Sequence, residues 1–279
     1  MRNLLVLGIC LVLASAAQAD FVVTATGPIP SNGPIGNAGN GMLNAQYTGA
    51  NTIFGSLAFS GDLTEVNTGT YASEARWNIK NVTAGTTLAM QPSTTGNFTG
   101  TIHIDKTVGL LWWSNANDNF TFEAYESYDD SGLDANWNNV SFTFADFGGI
   151  TPLGNYDAGG FDINTLAASF DTELGLYNGA GTLLATNDDV VPGTLQSQIL
   201  QTLGDGSYYI VLAGYNSQFV TGAALGGTAT GNYVLTVNGG NVATGALASG
   251  ELKVFSFTVP EPSTLALLAF GLVGLIRRR

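Results

Sequence analysis

The sequence predicts an all-β protein built as two antiparallel β-sandwiches or jelly rolls, flanked by an N-terminal signal peptide and a short C-terminal hydrophobic helix. Three observations predict it. Apolar residues recur at every second position over short runs, and no stretch between the two ends sustains a 3.6-residue apolar period. Clusters of Gly, Asn and Asp separate those runs and supply turns. Finally, the 279 residues carry only 8 Lys and Arg against 21 Asp and Glu, while 45% are apolar and 37 are Gly. That composition can bury a core, which a disordered chain cannot.

The N-terminal segment, residues 1–19, reads as a signal peptide. Arg2 supplies the positive start, Leu4 to Ala14 the apolar run, and Ala17-Gln18-Ala19 a small-x-small cleavage site that leaves Asp20 as the first mature residue. Such a leader implies the general secretion machinery as a partner. Cys10 lies inside the run, and the bulky Ile9 before it does not suit lipid attachment. The mature chain then has no cysteine, so an exported protein must be held by its core and by any ions it binds.

Residues 20–150 are expected to form the first sandwich. Residues 26–41, with Pro28, Pro30 and Pro34, read as a long loop or ordered arm. Strand-like alternation follows at Ile102 and Ile104, at Phe120, Phe122 and Ala124, and at Val140, Phe142 and Phe144. The boundary is expected near residues 147–152, where Phe-Gly-Gly-Ile-Thr-Pro follows a strand. Residues 151–258 are expected to form the second sandwich. Its alternating runs include Leu174 and Leu176, Tyr208 to Leu212, Tyr233 to Val237, and Leu252 with Val254, with turns at Asn178-Gly179, Asp205-Gly206 and Asn238-Gly239. Residues 217–231 read as a small-residue loop.

The C-terminal segment, residues 259–279, has three parts. Val259-Pro260-Glu261-Pro262-Ser263-Thr264 is rigid and extended. Leu265 to Ile276 is a 12-residue apolar run, followed by Arg277, Arg278 and Arg279. As a helix the run would be about 18 Å long at 1.5 Å per residue, against a hydrocarbon core of about 30 Å. It is expected to make transient contact with the inner membrane, with the arginines on the cytoplasmic side. Without both ends, residues 20–259 hold 20 acids and four cations (Arg76, Lys80, Lys106 and Lys253), a net charge of −16. That charge excludes nucleic acid as a partner and favours divalent cations.

The order Pro-Glu-Pro, apolar run, basic end resembles a PEP-CTERM sorting signal. The resemblance implies recognition by an exosortase, an integral-membrane cysteine protease, with cleavage near Val259–Thr264. It also implies a bacterium that makes extracellular polysaccharide, and a destination at the cell surface or in the extracellular matrix. A second resemblance covers residues 155–238. Asp171-Thr172-Glu173-Leu174-Gly175-Leu176-Tyr177, then Asn187-Asp188-Asp189, then Gly206-Ser207-Tyr208-Tyr209-Ile210 and Gly231-Asn232-Tyr233-Val234-Leu235 are similar to the bacterial pre-peptidase C-terminal (PPC) domain. This implies a non-catalytic jelly-roll accessory domain of secreted proteins.

Catalytic residues are not expected, and the chain is read as a non-enzyme. His103 is the one histidine, too few for a His-based zinc site, and it is expected to face water beside Asp105. Glu123 and Glu126 with Asp129, Asp130 and Asp134 could supply the two carboxylates of a glycosidase, but the residues read more simply as a solvated acidic loop. Calcium suits such acids better, since it takes six to eight hard oxygens. Candidate calcium ligands are Asp171, Asn187, Asp188 and Asp189 in one set and Asp129, Asp130 and Asp134 in another. No other cofactor is expected. Trp112, Trp113 and Trp137 are candidates for stacking on a sugar face, the basis of an alternative reading as a module that retains matrix polysaccharide. Adjacent Trp112 and Trp113 must point to opposite faces of a strand.

Overall fold

The computed structural model describes residues 20–128 and 132–261. The leader 1–19 with Ala17 and Ala19, the acids Asp129 and Asp130, the motif residues Pro262, Ser263 and Thr264, and the apolar run 265–276 lie outside the described residues.

The described residues form strands and no helix. The first half supplies β1 (Phe21–Ala25), β2 (Ile29–Ser31), β3 (Met42–Gln46), β4 (Thr52–Glu65), β5 (Ala75–Asn81), β6 (Thr86–Met90), β7 (Thr101–Ser114), β8 (Asn119–Glu126) and β9 (Ala135–Asp146). The second half supplies β10 (Thr151–Asn155), β11 (Gly159–Asn164), β12 (Thr172–Asn178), β13 (Leu183–Asn187), β14 (Gln198–Leu203), β15 (Gly206–Gly214), β16 (Gln218–Val220), β17 (Ala223–Leu225), β18 (Gly231–Val237), β19 (Gly240–Leu247) and β20 (Lys253–Val259).

In the first half a sheet ordered β1-β9-β4-β7-β17-β16, with β2 also on β9, shares one core with the sheet β3-β8-β5-β6. The alternation read from the sequence is the cause: Phe120, Phe122 and Ala124 of β8 and Val140, Phe142 and Phe144 of β9 all turn inward. The core is aromatic. Phe122 and Phe142 lie 4.7 Å apart between ring centroids, and Phe59 meets Trp137 edge-on at 5.2 Å. In the second half the sheet β10-β20-β15-β12-β13 shares a core with β14-β11-β18-β19, filled by Phe161, Leu174, Leu176, Ile210, Leu235 and Phe255. All pairs are antiparallel except β10 with β20.

A third apolar cluster joins the halves. Leu111 of β7 packs with Tyr177 of β12, Val211 and Ala213 of β15, and Val254 of β20. Strands β12 and β15 therefore bury both faces, one in the second core and one in the seam. Residues 217–231 are not simply a loop, as the sequence suggested. They contain the hairpin β16–β17, and β17 pairs with β7, Ala223 opposite Trp112, to extend the first-half sheet. Small side chains allow that approach: a Cβ at Gly175 would stand 2.6 Å from the Phe219 ring. Tyr177 Oη donates to the Ala223 carbonyl at 2.8 Å across the seam.

Candidate functional site

The end of the β12–β13 hairpin gathers the acids. Leu174 pairs with Asn187, so the start of β12 and the end of β13 lie side by side. Asp171 just before β12 thereby meets Asp188 and Asp189 just after β13. One carboxylate oxygen from each lies within 4.8 Å of the others. Two oxygens bound across one calcium ion, each about 2.3–2.6 Å from it, have a similar separation. The turn is held from behind. Ser197 Oγ donates to the Asp188 carbonyl at 2.6 Å and also lies against the Thr172 carbonyl. The Gln198 N–H donates to Asn187 Oδ1 at 2.9 Å.

The electrostatics of the cluster are unfavourable to three ionised carboxylates. Burial, then Asp188 and Asp189, push the Asp171 carboxyl above its ordinary value; burial and Asp189 push Asp188 up. Asp171 Oδ1 is shielded from solvent and has no hydrogen-bond partner. Glu173 is the next acid along β12, also raised by burial, but its oxygens accept the N–H groups of Asn216 at 2.9 Å and Ser217 at 3.0 Å. It fastens a loop, a role the sequence reading missed. Of the four ligands expected here the structure brings together three. Asn187, at the end of β13 beside them, uses one lone pair of its side-chain oxygen to accept the Gln198 N–H.

The other acidic set is different. Glu123 and Glu126 lie on β8 and are buried, not part of a solvated loop. The arm at residues 32–41 covers them. Glu123 Oε1 accepts the Gly36 N–H at 2.5 Å and Asn40 Nδ2 at 3.0 Å, and Glu123 Oε2 accepts Asn78 Nδ2 at 3.4 Å. Glu126 is 1% exposed; its Oε1 and the Ser31 hydroxyl are both buried without a hydrogen-bond partner. Burial is the main cause that pushes its carboxyl up to about 8; the adjacent Ser31 hydroxyl, too poorly aligned for a full hydrogen bond, and Arg76 oppose it, while Asp134 and Glu74 add to it. Asp134 is itself buried between the strands and does not converge with two other described acids on one point.

The tryptophans correct the stacking expectation. Trp112 and Trp113 do point to opposite faces; Trp112 is enclosed and Trp113 is half-buried. Trp112 and Trp137 are 0% exposed in the first-half core. Trp113 lies in the seam, 5.2 Å from the Tyr177 ring and 5.6 Å from that of Tyr209. The hairpin β16–β17 and the second half cover what would have been an outer surface. His103 is exposed as expected, with Nδ1 2.6 Å from Asp62 and Nε2 3.3 Å from Asp105. These carboxylates push the imidazole above its ordinary value.

Both predicted processing points abut strands. Asp20 is exposed and Phe21 immediately pairs with Phe144. At the other end Thr258 and Val259 pair with Ser207 and Gly206, and Pro260 and Glu261 emerge exposed. Residues 258–279 match the PEP-CTERM protein-sorting motif. That motif marks an exported protein sorted by an exosortase, and its first two residues are the last paired residues of β20. No curated protein matches the chain. The PPC resemblance rests on the strand pattern alone. Among the described residues no helix is long and apolar enough to cross a membrane.

Proposed function

We propose that the protein is delivered by an exosortase to the cell surface or the extracellular polymer matrix and serves there as a non-enzymatic adhesive or structural protein. The observation that carries this reading is the sorting motif at 258–279, attached without a spacer to β20. Its second half acts as a PPC-like accessory domain, and calcium at Asp171, Asp188 and Asp189 clamps the end of its β12–β13 hairpin. Three carboxylates, with backbone carbonyls and water, would complete the coordination. Glu123, the best placed acid of the other set, is occupied by three protein donors, which favours a structural role over acid catalysis. With Trp112 and Trp137 enclosed and Trp113 half-buried, the alternative of a sugar-stacking module has little exposed aromatic surface to rest on.

Intact-mass spectrometry on material released by the native host tests the sorting. The expected product begins at Asp20 and lacks the segment from Leu265 to Arg279. A product that retains Arg279 contradicts the proposal.

A further inference from the structure

Residues 20–259 contain four cations among 20 acids, yet two of the four, Arg76 and Lys106, line one cavity of about 130 Å³ that no acid lines. Of the other two, Lys253 Nζ is 2.5 Å from Glu251, and Lys80 is exposed on β5. Among the described residues neither Arg76 nor Lys106 has a carboxylate within ion-pair distance, although Arg76 Nε donates to the Ser73 carbonyl at 3.5 Å and its charge acts on Glu126 and Tyr125. A surface at −16 would more readily place an acid beside each.

The cavity is built across the seam. Arg76 comes from β5 and Lys106 from β7, and the segment 216–228 of the second half closes it. That segment is held firmly. Gln218 Oε1 accepts the Ala89 N–H at 3.0 Å and Gln218 Nε2 donates to the Ala89 carbonyl at 2.5 Å. Glu173 fixes the N–H groups of Asn216 and Ser217 from behind. The free polar groups are of a particular kind. Gln91 donates Nε2 to the Ser73 carbonyl at 2.9 Å and keeps its Oε1. The Thr94 hydroxyl and the Asn216 side-chain amide make no hydrogen bond among the described residues.

We propose that this cavity binds a small hydroxylated carboxylate of the uronate class. A guanidinium and an ammonium together suit a carboxylate. Gln91 Oε1 offers an acceptor, and the exposed Thr94 hydroxyl and Asn216 amide can both donate and accept, a mixture that suits the hydroxyl groups beside a carboxylate. Drug-sized ligands occupy clefts of about 300–1,000 Å³, so a cavity of about 130 Å³ takes one ring or a shorter hydroxy acid. The proposal does not depend on the sorting motif, and the mass measurement above stands or falls separately.

Titration of the protein secreted from its full-length coding sequence tests it, with sodium D-glucuronate, D-glucose, acetate and inorganic phosphate as probes and calorimetry as the readout. Glucuronate is expected to bind saturably and about tenfold or more tighter than each of the other three. K106Q and R76Q should each weaken it by about tenfold, with folding checked by a thermal melt, whereas K80Q should leave it unchanged. Any of three results overturns the proposal: no saturable glucuronate binding, glucose or phosphate bound as tightly, or glucuronate affinity unmoved by both K106Q and R76Q.

Discussion

The acids on β8 and those at the end of the β12–β13 hairpin are handled in opposite ways. Glu123 is buried and fully served by donors from the protein: the Gly36 N–H and the amides of Asn40 and Asn78. Its neighbour Glu126, three residues on in the same strand and with only the Ser31 hydroxyl acting against burial, is pushed up to about 8. The hairpin trio has neither remedy. Asp171, Asp188 and Asp189 converge, and Asp171 has an oxygen with no partner. A buried lone carboxyl takes a proton, and a buried acid faced by amides takes hydrogen bonds; converging surface carboxylates lack both, which is why a cation is proposed there.

The largest effect is expected at Glu126. Its carboxyl titrates near 8 in the fold against 4.5 ordinarily, so the folded state holds the proton over that interval and stability falls as pH rises from about 4.5 to 8. At about 1.4 kcal/mol per unit the loss amounts to a few kcal/mol. E126Q should flatten denaturant-derived stability against pH and be the more stable form at pH 8; an unchanged slope would show that Glu126 is not the buried acid described. Next comes Glu123. E123A strands three donors and should cost about 2–3 kcal/mol in urea unfolding, with E123Q costing less because it keeps an acceptor. Equal cost for both would mean packing, not hydrogen bonding, is what matters there.

The smallest effect belongs to His103. Asp62 and Asp105 raise its imidazole, so the contribution is present below about pH 6.5 and is lost as pH rises through the raised value. The group is exposed, and H103N should remove only a shallow feature of the melting profile near neutral pH. A large change would place His103 in a role that its surroundings do not show.

Local chemistry made much of this legible. Asn238 and Gly239 both adopt positive φ, 51° and 79°, in the two-residue turn between β18 and β19 that an Asn-Gly pair favours. The approach of Asp171 to Asp188 and Asp189 also followed from reading a hairpin, because antiparallel register puts its two ends together. What was hidden is non-local. Nothing near Glu123 in sequence announces that residues 32–41 will cover it, and its alternation with Phe122 suggested water. Likewise Ala223 to Leu225 are small, unremarkable residues whose pairing with β7 only the whole fold decides. That pairing and the packing of the second half are also why Trp113 packs into a seam and is half-buried. The cavity lined by Arg76 and Lys106 draws on residues about 30 and 140 positions apart, so no spacing rule could have pointed to it.

The most direct measurement is a thermal melt of the secreted protein with calcium and with EDTA, repeated on D188N. Calcium bound only by the folded state at 100 times its dissociation constant would add about 2.7 kcal/mol. The native chain is expected to melt at a higher temperature in calcium. No calcium shift is expected for D188N, which in EDTA should melt above the native chain because one of three repelling charges is gone. A native chain indifferent to calcium, or a D188N variant that loses stability in EDTA and still responds to the ion, would contradict the cation clamp.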